Sequence, residues 1–252
     1  MNSGKNGTFL VPSHVYDAQL NIRSDLKVFF DSNKLSTATE FFRMSGLYHD
    51  LQTSLLPALL PEKIASGLPL RIWSAGCSDG REPYSLAMIV KEYLAATGNE
   101  KFGRIEIRAS DIAPGQIEIA KKGVYPVKQS DQIKLKSYQN YFYLDSDPNK
   151  IQMAPELKNW IDFRIEDIAN HSGAGNYDIV ICAHVLLYYE KYYSELIVKK
   201  LIQTVARTGY IYLEPTSFKT MRSLGMKKMK PESHFFRFAD DNEIDTAGQA
   251  SG

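Results

Sequence analysis

Cysteine is scarce in this chain: Cys77 and Cys182 are the only two among 252 residues. They lie far apart, without a CxxC motif or a His/Cys ligand spacing, so neither a disulfide framework nor a zinc site is indicated. Long apolar runs are missing too, since none approaches the roughly 20 residues of a membrane span, and the N-terminus lacks the pattern of a signal peptide. We therefore expect a cytoplasmic protein without a metal and without membrane insertion.

The chain also lacks an excess of charge of either sign. Thirty Lys and Arg residues face 29 Asp and Glu residues, which gives a net charge of +1 and argues against a nucleic-acid partner. The G-x-G-x-x-G fingerprint is absent as well, which disfavours a nicotinamide dehydrogenase. The length is sufficient for one sizeable core with a small appendage.

Residues 70–90 have the pattern of a strand, a turn of small residues and a helix. The apolar run at 70–73 stops just before Gly76, and Gly80 precedes an apolar series with Pro83 in its first turn. Gly76 and Gly80 allow positive φ and let a ligand approach the backbone without meeting a Cβ. Such a turn commonly cradles a nucleotide-like ligand, although two glycines at this spacing are equally typical of a plain tight turn.

Two later strands each end in an acid. Alternating apolar residues at 105–109 predict a strand that ends at Asp111, whose carboxylate could accept hydrogen bonds from a ribose diol. The alternative is a helix N-cap, because a helix signal follows at 113–115. A strand at 160–165 is followed by Asp167, which could accept a hydrogen bond from an adenine amino group or cap a helix with equal weight.

The remaining segments complete an α/β pattern. We predict a β-ribbon near 141–153, a buried strand at 177–184, a helix at 194–206 with a turn at 208–209, a strand at 210–213, and a closing antiparallel edge strand at 235–238. Alternation of strands and helices predicts a doubly wound, mostly parallel sheet with a cofactor at the carboxyl ends of the first strands.

We divide the chain into three parts. A short N-terminal helical segment occupies residues 1–60, and a cofactor-binding domain with a small antiparallel β insertion at about 123–160 occupies 61–238. Residues 239–252 are acidic and rich in small residues, which predicts a disordered tail.

Three strings of the sequence resemble motifs of the CheR family, the S-adenosylmethionine-dependent methyltransferases that esterify glutamate side chains of bacterial chemoreceptors. RIWSAGCSDGREPYSLA at 71–87 closely resembles the first nucleotide-binding motif of that family, except that Arg81 replaces the first of two glutamates. TEFFR at 39–43 matches the family pattern T-x-F-F-R. YDIVICAHVLLYY at 177–189 is similar to F-D-x-I-x-C-R-N-V-L-I-Y-F.

The resemblance implies a Rossmann-like class I methyltransferase with S-adenosylmethionine as cofactor, S-adenosylhomocysteine as product and no metal. It implies a protein substrate such as a cytoplasmic helix of a chemoreceptor. The implied catalytic residues are Arg43 and Tyr188. The implied cofactor-binding residues are Thr39, Ala75, Gly76, Gly80, Glu82, Asp111, Ile112, Asp167, Ile168, His184 and Val185.

Several departures from the family pattern leave a second interpretation open. Arg81 would either face and repel a sulfonium or point to solvent, Ala113 replaces the second acid of the family's A-T-D-I-D string, and Ala183 and His184 replace an Arg-Asn pair. The segment before Thr39 is shorter than the family's receptor-docking region, and residues 1–50 contain as many acids as bases, five of each. These features favour a catalytically weak or inactive S-adenosylmethionine-binding module as the alternative, in which Arg43 is an ordinary surface cation.

Overall fold

The computed structural model describes residues 39–127, 129–171, 176–189, 191–213 and 218–239. The predicted helices within residues 1–38 and almost all of the predicted tail at 239–252 lie outside the described residues. No helix of the described part of the chain is long and apolar enough to cross a membrane.

Strands and helices alternate along most of the described chain. The strands are β1 (Leu70–Ala75), β2 (Ile105–Asp111), β3 (Val124–Pro126), β4 (Phe142–Leu144), β5 (Lys150–Met153), β6 (Ile161–Ile165), β7 (Tyr177–Cys182), β8 (Val205–Leu213), β9 (Met226–Lys228) and β10 (Phe235–Phe238). The helices are α1 (Ser45–Asp50), α2 (Leu56–Ser66), α3 (Arg81–Ala96), α4 (Pro114–Lys122), α5 (Gln129–Leu135), α6 (Pro155–Lys158), α7 (Lys191–Thr204) and α8 (Phe218–Ser223).

Seven of these strands form one sheet in the order β6-β2-β1-β7-β8-β10-β9. The first five are parallel, while β10 runs antiparallel to β8 and to β9. The strand order reverses at β1, because the chain continues from β1 toward β2 and β6 on one side and later adds β7 on the other. A crevice for a ligand is expected at the carboxyl ends of the strands at such a reversal. The predicted fold class is confirmed.

Both faces of the central parallel strands β1 and β7 are largely buried, which explains why these two strands are mostly apolar. On β1, Leu70 and Ile72 pack into a core shared with residues of α1 to α4. Trp73 and Ala75 point to the opposite face and pack into a second core with α7 and α8. Alternate residues of β1 and of β7 thus serve different cores, as the centre of a doubly wound sheet requires.

The second half of the chain differs from its predicted boundaries. The α7 helix ends at Thr204, and β8 begins at Val205 and continues through the predicted turn at 208–209. A register shift occurs there against β7, and a Cβ on Gly209 would lie 2.9 Å from the backbone oxygens of Tyr177 and Asp178. The glycine therefore permits a close irregular pairing instead of a turn. The edge prediction for 235–238 was wrong, because β9 covers β10 and forms the edge.

The insertion at about 123–160 contains the predicted ribbon. β4 and β5 pair antiparallel with Phe142 opposite Met153, and β3 adds a third strand in the order β3-β5-β4. The α2 helix runs across the predicted boundary at residue 60. It passes through Pro61 without stopping and ends before Gly67, which has φ 65°. The domain division itself stays a prediction.

Arg81 joins three parts of this fold. Its residue is 6% exposed, and its guanidinium carbon lies 4.8 Å from the ring centroid of Tyr125 in β3 and 5.6 Å from that of Phe41. It also forms an ion pair with Asp79, whose backbone oxygen accepts a 2.6 Å hydrogen bond from the Tyr125 hydroxyl. Both expected orientations of Arg81, toward a sulfonium or toward solvent, were therefore wrong. The side chain holds the turn after β1, the small sheet and the segment before α1 together.

We predict that Arg81→Glu lowers the free energy of unfolding by about 3 kcal/mol or more, because it leaves the buried Asp79 carboxylate facing a second carboxylate. Arg81→Lys keeps the charge and loses the planar contact with two rings, so it should cost about 1 kcal/mol. Chemical denaturation measures both. Arg71→Glu is the matched control, because Arg71 forms an exposed ion pair with Glu106 that is worth about 1 kcal/mol or less. Equal losses for Arg81→Glu and Arg71→Glu would contradict the buried junction.

Candidate active site

The turn after β1 folds over the carboxyl end of β2. The backbone N–H groups of Gly76 and Cys77 donate to the Ser110 oxygen at 2.8 and 2.9 Å. Ser78 N–H donates to the Asp111 carboxylate at 2.8 Å, and Ser78 itself has φ 51°, a strained value for a residue with a Cβ. The parallel pairing of β1 and β2 thus brings the predicted glycine turn and the predicted acid together.

Backbone groups already bind much of the Asp111 carboxylate. It accepts from Ser78 at 2.8 Å and from Ala113 at 2.9 Å, and the Ile112 N–H also hydrogen-bonds to it. Burial raises the pKa of the Asp111 carboxyl, although these N–H groups act in the opposite direction. An ionised carboxylate offers about four acceptor positions, so about one stays available for a ribose hydroxyl. The N-cap alternative was wrong, because the N-cap residue of α4 is Ala113 and not Asp111, and no side chain of the N-cap residue hydrogen-bonds to the first turn of α4.

Packing inside the protein explains both glycines of the turn. Gly76 has φ 85°, and a Cβ there would lie 2.2 Å from Val185 Cγ2. Gly80 has φ 91°, and a Cβ there would lie 2.7 Å from the Ala120 Cβ of α4. A side chain at Gly76 would push the turn after β1 away from the loop after β7, and a side chain at Gly80 would push the turn away from α4. Two predicted site residues, Gly76 and Val185, are therefore in direct contact.

Glu82 lies in the first turn of α3, directly beside the end of β1. Ser74 Oγ donates to its carboxylate at 2.7 Å. Burial raises the pKa of Glu82 to about 7, while the Ser74 hydrogen bond and the positive charge of Arg43 act in the opposite direction. The Glu82 residue as a whole is half-buried. Near neutral pH this carboxyl can therefore hold or release a proton.

The loop that carries Arg43 is fixed from several directions. Phe42 has φ 52°, its N–H donates to Ser85 Oγ at 3.1 Å, and its ring stacks on Tyr138 with centroids 4.5 Å apart. Arg43 follows as an exposed residue whose charge acts on Glu82. Thr39, at the start of the described chain, is half-buried. The strained Phe42 backbone is held by these contacts. It therefore fixes the position of the Arg43 Cα and the direction in which its side chain leaves the loop.

Asp167 follows β6 and caps a short 3₁₀ helix, Ile168–Asn170. Its Oδ1 accepts from Ala169 N–H at 2.9 Å and from the Tyr189 hydroxyl at 3.5 Å. Among the described residues nothing hydrogen-bonds to Oδ2, which leaves one carboxylate oxygen for a ligand amine. Burial raises the pKa of the Asp167 carboxyl. The cap alternative is thus present, and it does not use the whole side chain.

The strand end after Cys182 contains the remaining predicted residues. His184 is half-buried with φ 57°, and Val185 follows it. Tyr188 belongs to the 3₁₀ helix Leu186–Tyr188, but its side chain lies outside the described part of the structure. Among the described residues, Phe42, Ser78 and His184 are the non-glycine residues with positive φ, and all three lie in loops of this region. The sequence motifs do not identify Ser78 as a candidate site residue, because the feature that singles it out is its positive φ, which the sequence does not show.

The arrangement suits a cofactor that carries an adenosine and a positively charged group. Ala75 is buried at the end of β1 and Ile168 is 4% exposed, and both belong to the second core. Ser78 Oγ is buried and has no hydrogen-bond partner among the described residues, so a ligand could complete it. The described residues contain no group of three or more His, Cys, Asp or Glu side chains that could hold a metal ion.

Comparisons with known proteins agree with this geometry. A family described as CheR methyltransferase, SAM binding domain, matches residues 37–217. Chemotaxis protein methyltransferase 2 of Pseudomonas aeruginosa is 30% identical over 185 residues, 71% of this chain and 63% of that protein. The Borreliella burgdorferi chemotaxis protein methyltransferase is 30% identical over 187 residues, 72% of this chain and 64% of that protein. The chain thus spans less than two thirds of the length of these relatives.

Among solved structures, the N-methyltransferase NodS from Bradyrhizobium japonicum with bound S-adenosylhomocysteine is a distant likeness. It covers 73% of this chain and 85% of its own, at 14% identity and a TM-score of 0.40. The family match extends over most of the chain and includes both glycines of the turn, Asp111 and the end of β7. The chain belongs to the CheR methyltransferase family and contains its S-adenosylmethionine-binding domain.

Proposed function

We propose that the chain is a protein-glutamate methyltransferase that acts in the cytoplasm on a chemoreceptor-type protein. The observation that carries this proposal is the pair of charges at the end of β1: the exposed Arg43 acts electrostatically on the half-buried Glu82. In this proposal the Glu82 carboxylate would lie on the cofactor side, and the Arg43 guanidinium would lie toward the solvent, where a protein acceptor would enter. The names of the curated relatives, chemotaxis protein methyltransferases, support the choice of acceptor.

On the cofactor side, Asp111 would bind a ribose hydroxyl and Asp167 Oδ2 the adenine amine. Glu82 would face the cationic end of the cofactor, because an ionised carboxylate there offsets positive charge. Thr39, Ile112 and His184 would border the same crevice, because their loops follow the predicted cofactor motifs. Bound S-adenosylmethionine would supply a methyl group on a positively charged sulfonium.

On the acceptor side, the chain needs to align the ionised carboxylate of the acceptor glutamate. It does not need a general base, because no proton has to be removed. A glutamate side chain has a pKa near 4.3, so it is already ionised at neutral pH and can act as the nucleophile. The planar fork of Arg43 can hold two carboxylate oxygens at once, and alignment of the reacting atoms contributes strongly to rate. Tyr188 is assigned to the same side because its 3₁₀ helix follows the end of β7.

The position of Arg81 weakens the alternative of an inactive binding module. That alternative depends partly on a positive charge at a position where the family has a glutamate. The Arg81 side chain is instead enclosed by Phe41, Tyr125 and Asp79, so its charge is directed into the fold. Ala183 and His184 remain the departures that bear directly on the crevice.

Arg43→Lys should leave the affinity for S-adenosylmethionine within about twofold and lower turnover by about tenfold to a hundredfold, because misalignment of reacting groups has effects of this size. Initial rates of methyl transfer to a receptor fragment, with calorimetric titration of the cofactor, measure the two quantities. Arg104→Lys is the matched control, since Arg104 is exposed and donates to Gly67 O near the amino end of β2. Full turnover in Arg43→Lys would reject the acceptor role.

Glu82 generates a pH dependence. With its pKa at about 7 in the ligand-free protein, the fraction of ionised Glu82 rises from pH 6 to pH 8. A cationic ligand binds the ionised form better, so affinity for S-adenosylmethionine should rise by up to about tenfold over this range. Glu82→Gln cannot ionise and should bind with a flatter pH profile. Identical pH profiles for the two proteins would show that Glu82 does not face the cation.

A further inference from the structure

β6 forms one edge of the large sheet, and among the described residues only one side of this strand is hydrogen-bonded to a neighbour. That neighbour is β2. Trp160 O accepts from Ile107 N–H at 2.7 Å, and Glu166 N–H donates to Asp111 O at 3.0 Å. Because hydrogen-bonding direction alternates along a strand, Asp162 and Arg164 also face β2 with their backbone groups.

The alternate residues Ile161, Phe163 and Ile165 therefore direct their N–H and C=O groups away from the sheet. No described residue hydrogen-bonds to these outward groups. A groove of about 640 Å³ is lined by all five residues of β6 together with Tyr84, Lys121 and Lys158. Ile165 is 47% exposed in this groove. An exposed strand edge of this kind is a template for another strand.

The side chains of β6 are complementary to a second copy of the same strand. In an antiparallel pair centred on Phe163, Ile161 lies opposite Ile165 of the second copy and Asp162 opposite its Arg164. The two-fold axis repeats both pairs. All outward backbone groups then meet each other, which gives about six hydrogen bonds, two for each of three facing pairs. Within one copy, Asp162 and Arg164 form only an exposed ion pair at 2.8 Å, with side chains 54% and 59% exposed.

Other antiparallel registers are disfavoured by charge or by backbone pattern. A shift that centres the pair on Asp162 sets two aspartates opposite each other, and one centred on Arg164 sets two arginines opposite each other. Like charges directly opposite destabilise a strand pair. Sliding one strand along the other by a single residue moves the centre to a point between two residues. The outward backbone groups of one copy then lie opposite residues whose backbone groups face into the other copy's own sheet. The register centred on Phe163 avoids both problems.

We propose that the β6 edge is a self-association surface, at which two copies of the chain join their sheets through antiparallel β6 strands in the register centred on Phe163. The contact is isologous, as a two-fold dimer requires. Five residues per strand make a small interface, which places the dimer in the weak class of protein–protein contacts. The surface lies along the whole of β6 and is independent of the methyl-transfer proposal.

The test is a charge exchange measured by sedimentation equilibrium on the full chain. Asp162→Arg and Arg164→Asp each set like charges opposite each other twice, and each should weaken self-association by about tenfold or more. An equimolar mixture of the two variants should restore association, because one variant then carries two arginines at these positions and faces two aspartates of the other. The double variant D162R/R164D should self-associate like the original chain.

A second measurement reports the register directly. Amide exchange at Ile161, Phe163 and Ile165 should slow as protein concentration rises, while exchange at Asp162 and Arg164 stays slow throughout. Ile165→Pro removes one outward N–H without touching a bond to β2, and it should also weaken association.

Three results would overturn the proposal. A full chain that stays monomeric at concentrations of several hundred micromolar, where weak interfaces are populated, is one. Equal association of the wild type and both charge variants is another. Protection of the outward amides that is already complete in the monomer is the third, because another segment of the chain would then occupy the edge.

Discussion

The hydrogen bonding of β1 between β2 and β7 is the constraint on which the candidate site depends. Parallel pairing in both directions brings three carboxyl ends to one side of the sheet, so residues far apart in the chain become neighbours. The Ser78 N–H then reaches Asp111, and Gly76 meets Val185. Without this register, neither the acid nor the glycine turn would border a common crevice. The strained backbones of Ser78 and His184 are consistent with loops that are held by this packing.

A second constraint comes from Arg81, the cation that directly follows the glycine turn after β1. Arg81 occupies a position where the family resemblance leads one to expect a glutamate, yet it does not alter the charge of the crevice. Its guanidinium is enclosed by two rings and Asp79, so it fixes the turn from behind while Glu82, the next residue, faces the end of β1. The two adjacent residues at the start of α3 thus have different roles: Arg81 stabilises the fold, and Glu82 carries the titratable group.

Much of this architecture was predictable from the sequence, because apolar periodicity and small-residue turns are local signals. The strands around 70–75, 105–111 and 177–182 and the ribbon near 141–153 were found in this way. The reason for Gly76 was not predictable, since its contact, Val185, is more than a hundred residues away. The burial of Arg81 depends on Tyr125, and β9 was missed because Met226–Lys228 is short and rich in lysine. Such features depend on tertiary neighbours that no local pattern contains.

The proposed activity requires that a carboxylate of a protein receives the methyl group. The most direct measurement incubates the full chain with S-adenosylmethionine labelled on the methyl carbon and a receptor cytoplasmic fragment that contains glutamates, and then treats the protein product with mild base. We expect label on the fragment that base releases as methanol, because methyl esters hydrolyse readily and methylated amines do not. Label that resists base, or cofactor binding without any label on the fragment, would contradict methyl transfer to a carboxylate.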